Sequence, residues 1–227
     1  MIFDRLLPLL VLGTSLVTGL VIFMLGETRV RTRTVLNLAG ATLKLALVGV
    51  MIWGVFHQHV YETRWSFLPG LDFVLRADAM TILFSSLSAL LWLLTTIYAI
   101  GYLEHAPNRR RFFGYFSFCV TATMGVSLAG NLLTFFVFYE MLTLTTYPLV
   151  AHRGTEASLR AAGIYLRYTL LGSAAILLGM AWLYRLAGAF DFTETGAVGF
   201  LDQAHHAELI IIFALLVGGF GVKAGLV

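Results

Sequence analysis

Charged residues are scarce in this sequence. Only 12% of its 227 residues are Asp, Glu, Lys or Arg, about half the roughly 25% of a soluble domain. Hydrophobic residues make up 59% and the mean hydropathy is +0.87, which excludes a water-soluble globule and points to a membrane protein. The single cysteine, Cys119, excludes an internal disulfide and any cluster ligated by cysteines of this chain alone. Low-complexity segments, domain linkers and the alternating pattern of a membrane barrel are all missing. The first apolar run, residues 1–25, has no basic region beyond Arg5 and no small-residue cleavage site, so it reads as a first span rather than a signal peptide. The net charge of +3 comes largely from arginines in short loops, where membrane topology explains them and nucleic acid does not.

Seven apolar segments follow one another, at about residues 6–25, 35–56, 79–103, 112–128, 132–150, 161–186 and from 209 onward. Spans of roughly 20 apolar residues cross the hydrocarbon as helices, because no other open structure satisfies its backbone there. The expectation is an all-α membrane protein with about seven transmembrane helices. It divides into residues 1–103, three helices with an external loop at 57–78, and residues 112–227, the remaining four. The loop holds Trp65, Pro69, Gly70 and a partly alternating run, SFLPGLDFVLR, which suggests a small hairpin on one membrane face. Residues 187–208, with Asp191, Glu194, Asp202 and Glu208, read as a solvated acidic loop. Loops after spans 1, 3 and 5 carry eight arginines against four on the other side, so the positive-inside rule places the N-terminus outside. Tryptophans 53, 65 and 182 and tyrosines 102 and 184 fit interfacial belts.

Against this apolar background the charges inside spans are few: one acid, Glu140, and three cations, Lys44, Arg167 and Lys223. Glu140 sits near the middle of span 5, where an unpaired charge costs at least about 2.5–3.5 kcal/mol. Thr143 and Tyr147 share its helical face and can donate hydrogen bonds or hold water; Pro148 removes a backbone donor nearby. Lys223 lies in GGFGVKAGLV, whose glycines allow close helix approach. Desolvation favours its neutral form and a neighbouring carboxylate its charged form. Arg167 keeps its proton and is restricted to electrostatic roles, and Lys44 is a secondary candidate in span 2. Static ion pairing for Glu140 and Lys44, and snorkelling for Lys223 and Arg167, are the structural alternatives. His205 and His206 have no third ligand at useful spacing, so neither a metal nor a cofactor is expected, and no catalytic residue is visible.

Several stretches resemble the antiporter-like subunits of respiratory complex I, of membrane-bound hydrogenases and above all of Mrp-type cation/proton antiporters, where the likeness is to the D-type subunit. They are FVFYEMLTLTTYPLVAH, the short loop HRGT, GFGVKAGLV, and LRADAMTILFSSLSALLWLLTTIYAIGYLE ahead of the basic loop 3–4. Members of that family have about fourteen spans built on inverted repeats. The resemblance implies that Glu140 and Lys223 are the proton-transfer pair, with Arg167 near a basic position of span 6 and tuning the charge; Lys44 is a further charge-tuning candidate from its place in span 2 alone. The resemblance also implies proton translocation in a hetero-oligomer of membrane subunits in a bacterial-type inner membrane, exchanging a monovalent cation such as Na+ or coupled to an NADH dehydrogenase-like or hydrogenase complex. The chain holds only the N-terminal half of such a fold and an incomplete first repeat, as expected of a fragment or of a truncated, non-transporting scaffold.

Overall fold

The computed structural model describes residues 2–68, 71–103, 106–188, 191–193 and 205–225. Pro69, Gly70, Glu194 and Asp202, named above, lie outside them. In chain order the elements are α1 (Ile2–Met24), α2 (Val30–Phe56), β1 (Tyr61–Leu68), β2 (Leu71–Ala77), α3 (Ala79–Tyr102), α4 (Arg109–Ser127), α5 (Leu132–Val150), α6 (Glu156–Ala187) and α7 (His206–Ala224). Six of these helices are long and apolar enough to cross a membrane; α4 is the exception. It opens on Arg109, Arg110 and Arg111 and packs against α1, α3 and α5 at the centre of the bundle. Because its faces meet protein, α4 buries Ser117 and Thr121 and needs no lipid-facing apolar coat. Gly125 of α4 leaves the space that the buried Phe138 ring of α5 fills.

Helix ends follow local chemistry more than hydrophobicity. Asp78 caps α3 by accepting from Thr81 N at 2.7 Å, and Asn131 caps α5 by accepting from Thr134 N at 2.8 Å. Thr155 of the HRGT loop caps α6, so α6 starts five residues before its apolar run does. The added turn is polar and carries a Glu156–Arg160 pair at 2.7 Å. Pro148 lies inside α5, which continues to Val150. The hydroxyls of Thr145 and Thr146 donate to carbonyls of Met141 and Leu142 in the preceding turn.

The alternating stretch forms an antiparallel hairpin, with Tyr61 opposite Ala77 and Trp65 opposite Phe73. It is built into one end of the bundle. Thr63 Oγ1 donates to the Arg5 carbonyl, Val74 N donates to Thr134 Oγ1 at 2.8 Å, and Arg76 N donates to the Leu128 carbonyl at 2.7 Å. Gly130 N donates to Val74 O at 2.9 Å, an approach that a Cβ would block. Arg64 pairs with Asp72 at 2.7 Å and with Asp191 at 2.8 Å, tying the hairpin to the segment after α6. Its acidic partners hold the Arg64 guanidinium above its ordinary proton affinity. At the opposite end, the Arg110 amide meets Glu27, which joins the loop after α1 to the start of α4.

That opposite end also holds His152, in the turn after α5. Its ring meets Phe112 edge-on at 5.7 Å, and Nδ1 is buried without a partner. Burial, with a smaller contribution from Arg111, lowers its pKa. The folded chain therefore favours neutral His152. That stabilisation is present above the unfolded histidine value of about 6.5 and is lost as pH falls through the lower folded value. Thermal unfolding should accordingly show a melting temperature that declines on acidification below about pH 6.5, and His152→Phe should flatten this part of the profile.

Candidate functional site

Three helices meet at Glu140. The closest approach is between α6 and α7. A Cβ on Gly172 would lie 2.9 Å from the Gly219 carbonyl, and one on Gly219 would lie 2.6 Å from both Gly172 O and Ile176 Cγ1. Only hydrogen fits at either position, so the glycines fix how near α7 comes. Lys223 follows Gly219 by one turn and therefore points the same way. Its Nζ forms a direct ion pair with Oε1 of Glu140 on α5. The Lys223 side chain is 3% exposed and Glu140 21%. The ammonium therefore does not snorkel, and the carboxylate keeps one edge open.

The same Glu140 oxygen accepts a hydrogen bond from Ser173 Oγ of α6 at 2.6 Å. Ser173 also lies 2.8 Å from the Thr169 carbonyl, its alternative acceptor. The Lys223 ammonium stands 4.3 Å from the Tyr139 ring centroid, a cation–π contact strengthened by exclusion of water. Tyr139 in turn packs with Phe135 and Phe220 at centroid separations of 5.4 and 5.7 Å. The aromatics of span 5 are thus packing residues that wall the pair.

The other residues singled out in the sequence are elsewhere. Thr143 is buried but donates to its own helix, at the Tyr139 carbonyl, 3.2 Å away. Tyr147 is half-buried and makes no hydrogen bond to Glu140. Arg167 is exposed on α6, with Nε donating to Gly163 O at 3.2 Å. Lys44 is fully buried among α1, α3 and α4, where it donates to Ser15 Oγ at 2.6 Å. Neither cation contacts Glu140, because helical phase turns Arg167 outward and Lys44 into a different set of helices. Ser173 was missed by sequence reasoning. A serine among small residues in LGSAAILLG looks like packing, and only its offset of one residue from the α6 crossing glycine could have marked it.

The chain is similar in sequence and fold to known proteins. Residues 129–227 match the family described as NADH:quinone oxidoreductase/Mrp antiporter, transmembrane, and residues 69–113 match NADH-ubiquinone oxidoreductase (complex I), chain 5 N-terminus. The D-type subunit of the Na(+)/H(+) antiporter of Bacillus subtilis (strain 168) is 24% identical over 195 residues, 85% of this chain and 39% of that protein. The chloroplastic NAD(P)H-quinone oxidoreductase subunit 5 of Anthoceros angustus is 26% identical over 223 residues, 94% of this chain and 30% of that protein. The fold is shared with a chain of the Mrp complex from Dietzia sp. DQ12-45-1b, with a TM-score of 0.80 and 22% identity over 99% of this chain and 41% of that one. The present chain thus spans 30% to 41% of the length of these relatives.

Ser173→Ala removes a hydrogen bond to a charged group, worth about 1.5–3 kcal/mol. Gly219→Val wedges α7 away from α6 at an overpacking cost of about 1–3 kcal/mol. Both variants should melt at lower temperature. Only Gly219→Val should also open Lys223 to a water-soluble amine reagent, as read by mass spectrometry.

Proposed function

We propose that this chain, which matches antiporter-like membrane-subunit families over residues 129–227 and 69–113, carries protons through a multi-subunit monovalent cation/proton antiporter, with Glu140 and Lys223 as the transfer pair. The direct Glu140–Lys223 ion pair carries this reading. With the carboxylate in contact, Lys223 holds its proton. When Glu140 is drawn off, its charge rests on Ser173 alone, desolvation dominates at the lysine and the proton leaves. Moving one charge against 100 mV costs about 2.3 kcal/mol. That is less than two tenfold steps in proton affinity at about 1.36 kcal/mol each, within the range of a buried pair whose separation changes.

Helices α4–α7 are read as part of the first repeat of the conducting module. Partners are other membrane subunits, and the exchanged ion is Na+ or a similar monovalent cation. The basic ends at Arg29–Arg33 and Arg109–Arg111 favour a cytoplasmic placement in an inner membrane, with the N-terminus and hairpin outside. A second reading, redox-driven pumping beside an NADH- or hydrogen-oxidising module, is favoured by the similarity to quinone oxidoreductase subunit 5.

In vesicles bearing the natural full-length protein and its complex, Glu140→Gln should lower cation-dependent proton exchange at least tenfold. Lys223→Arg, which keeps the charge but does not release a proton, should do the same. Unchanged exchange in either variant contradicts the mechanism. Exchange that needs an electron donor and ignores an imposed cation gradient selects the redox-driven reading.

A further inference from the structure

A second buried cation lies away from Glu140. Lys44 of α2 is 0% exposed, and among the described residues no carboxylate lies within ion-pair distance of it. Its neighbours are neutral. Ser15 Oγ of α1 is 2.6 Å from Nζ and 2.8 Å from Thr121 Oγ1 of α4, and the Trp92 ring of α3 has its centroid 5.0 Å from Nζ. Gly40, one turn earlier on α2, brings Trp92 close: a Cβ there would meet Trp92 Cη2 at 3.3 Å. Titratable groups on the surrounding helices are engaged elsewhere. Cys119 is 3.4 Å from Thr145 on α5, Tyr115 meets Phe23 edge-on, and Arg33 lies 3.9 Å from Glu27. On α3, Asp78 caps the helix and Tyr98 stacks on Tyr102 at the other end.

This environment accommodates both protonation states of an amine. A charged Lys44 donates to Ser15 and rests against the indole face. A neutral Lys44 presents a lone pair, and Ser15 can turn its hydroxyl to donate to it while still accepting from Thr121. A fixed ammonium would need more acceptors than this cluster offers, since it has three N–H groups. Beside it, a groove of about 720 Å³ lies between α3 and α4; apolar side chains such as Phe84, Leu91, Phe116 and Val120 form most of its lining, Asp78, Thr81, Ser88, Thr123 and Ser127 are polar groups along it, and Trp92 forms part of its wall. Trp92 Nε1 and, one turn on, Thr96 Oγ1 are buried without partners; groups of this kind are satisfied by ordered water.

We propose that Lys44 is a second proton-binding site, separate from the Glu140–Lys223 pair, and that it exchanges its proton through the α3–α4 groove past Trp92. The indole supplies the readout. In the full natural chain in lipid nanodiscs, 5-fluorotryptophan incorporated at position 92 alone gives a fluorine resonance that responds to the charge facing the ring. That resonance should show a one-proton transition with pH, persist in Glu140→Gln, and be abolished in Lys44→Met and in Lys44→Arg. Lys44→Arg retains the charge and guards against a folding failure of Lys44→Met. Ser88→Phe, placed in the groove, should slow the response to a pH jump at least tenfold without moving its midpoint. A resonance that does not titrate, or that titrates equally without Lys44, overturns the site. A rate unchanged by Ser88→Phe overturns the route. Loss of the transition in Glu140→Gln makes the two sites one, and also contradicts the proposal.

Discussion

A single ion pair, Glu140 with Lys223, organises the α5–α7 side of the bundle. Neither charge could sit alone at that depth for less than a few kcal/mol, so the helices are packed to bring them together. Gly172 and Gly219 set the approach of α7 to α6, Ser173 presents a hydroxyl to the carboxylate, and Tyr139 covers the ammonium. Replacing any one of these moves a charge rather than a methyl group, and electrostatic costs in a low-dielectric interior exceed those of ordinary packing. Glu140 nevertheless keeps one edge open, which allows a pair that is stable to be disturbed.

The rest of the bundle solves a different problem with neutral groups. On the α1–α4 side, hydroxyls and an indole surround Lys44, with no counter-ion among the described residues. Helix α4 separates the two sides, and its small and polar residues are tolerated because protein surrounds it. The hairpin locks the end of this assembly through backbone bonds to the α4–α5 turn and through Arg64, which reaches across to Asp191. The chain thus has two polar centres on either side of a central helix, an ion pair on one and a lysine among neutral groups on the other.

Much of this was legible in the sequence because the charges are so few. Glu140 and Lys223 stood out against apolar spans, and the glycines before Lys223 forecast a close crossing. The hairpin was visible in its alternation and the cap of α3 in Asp78. Phase was not legible. Arg167 and Lys223 looked alike as intramembrane cations, yet one faces outward and the other inward, because a few residues of helix decide the direction. Thr143 and Tyr147 share the face of Glu140 in sequence, but the threonine's hydroxyl turns to its own backbone and the acid's bond comes from another helix. Apolarity is a weak guide to α4, whose character is set by what surrounds it.

The most direct test of the central claim is the charge state of the Glu140 carboxyl. Infrared spectroscopy of the protein in lipid, comparing the parent with Lys223→Met, reads it as a carbonyl stretch. If the pair is an ionised couple in which each charge sustains the other, Lys223→Met will gain a protonated-carboxyl band near neutral pH that vanishes when Glu140→Gln is added. The absence of that band, or its presence already in the parent, would contradict the account.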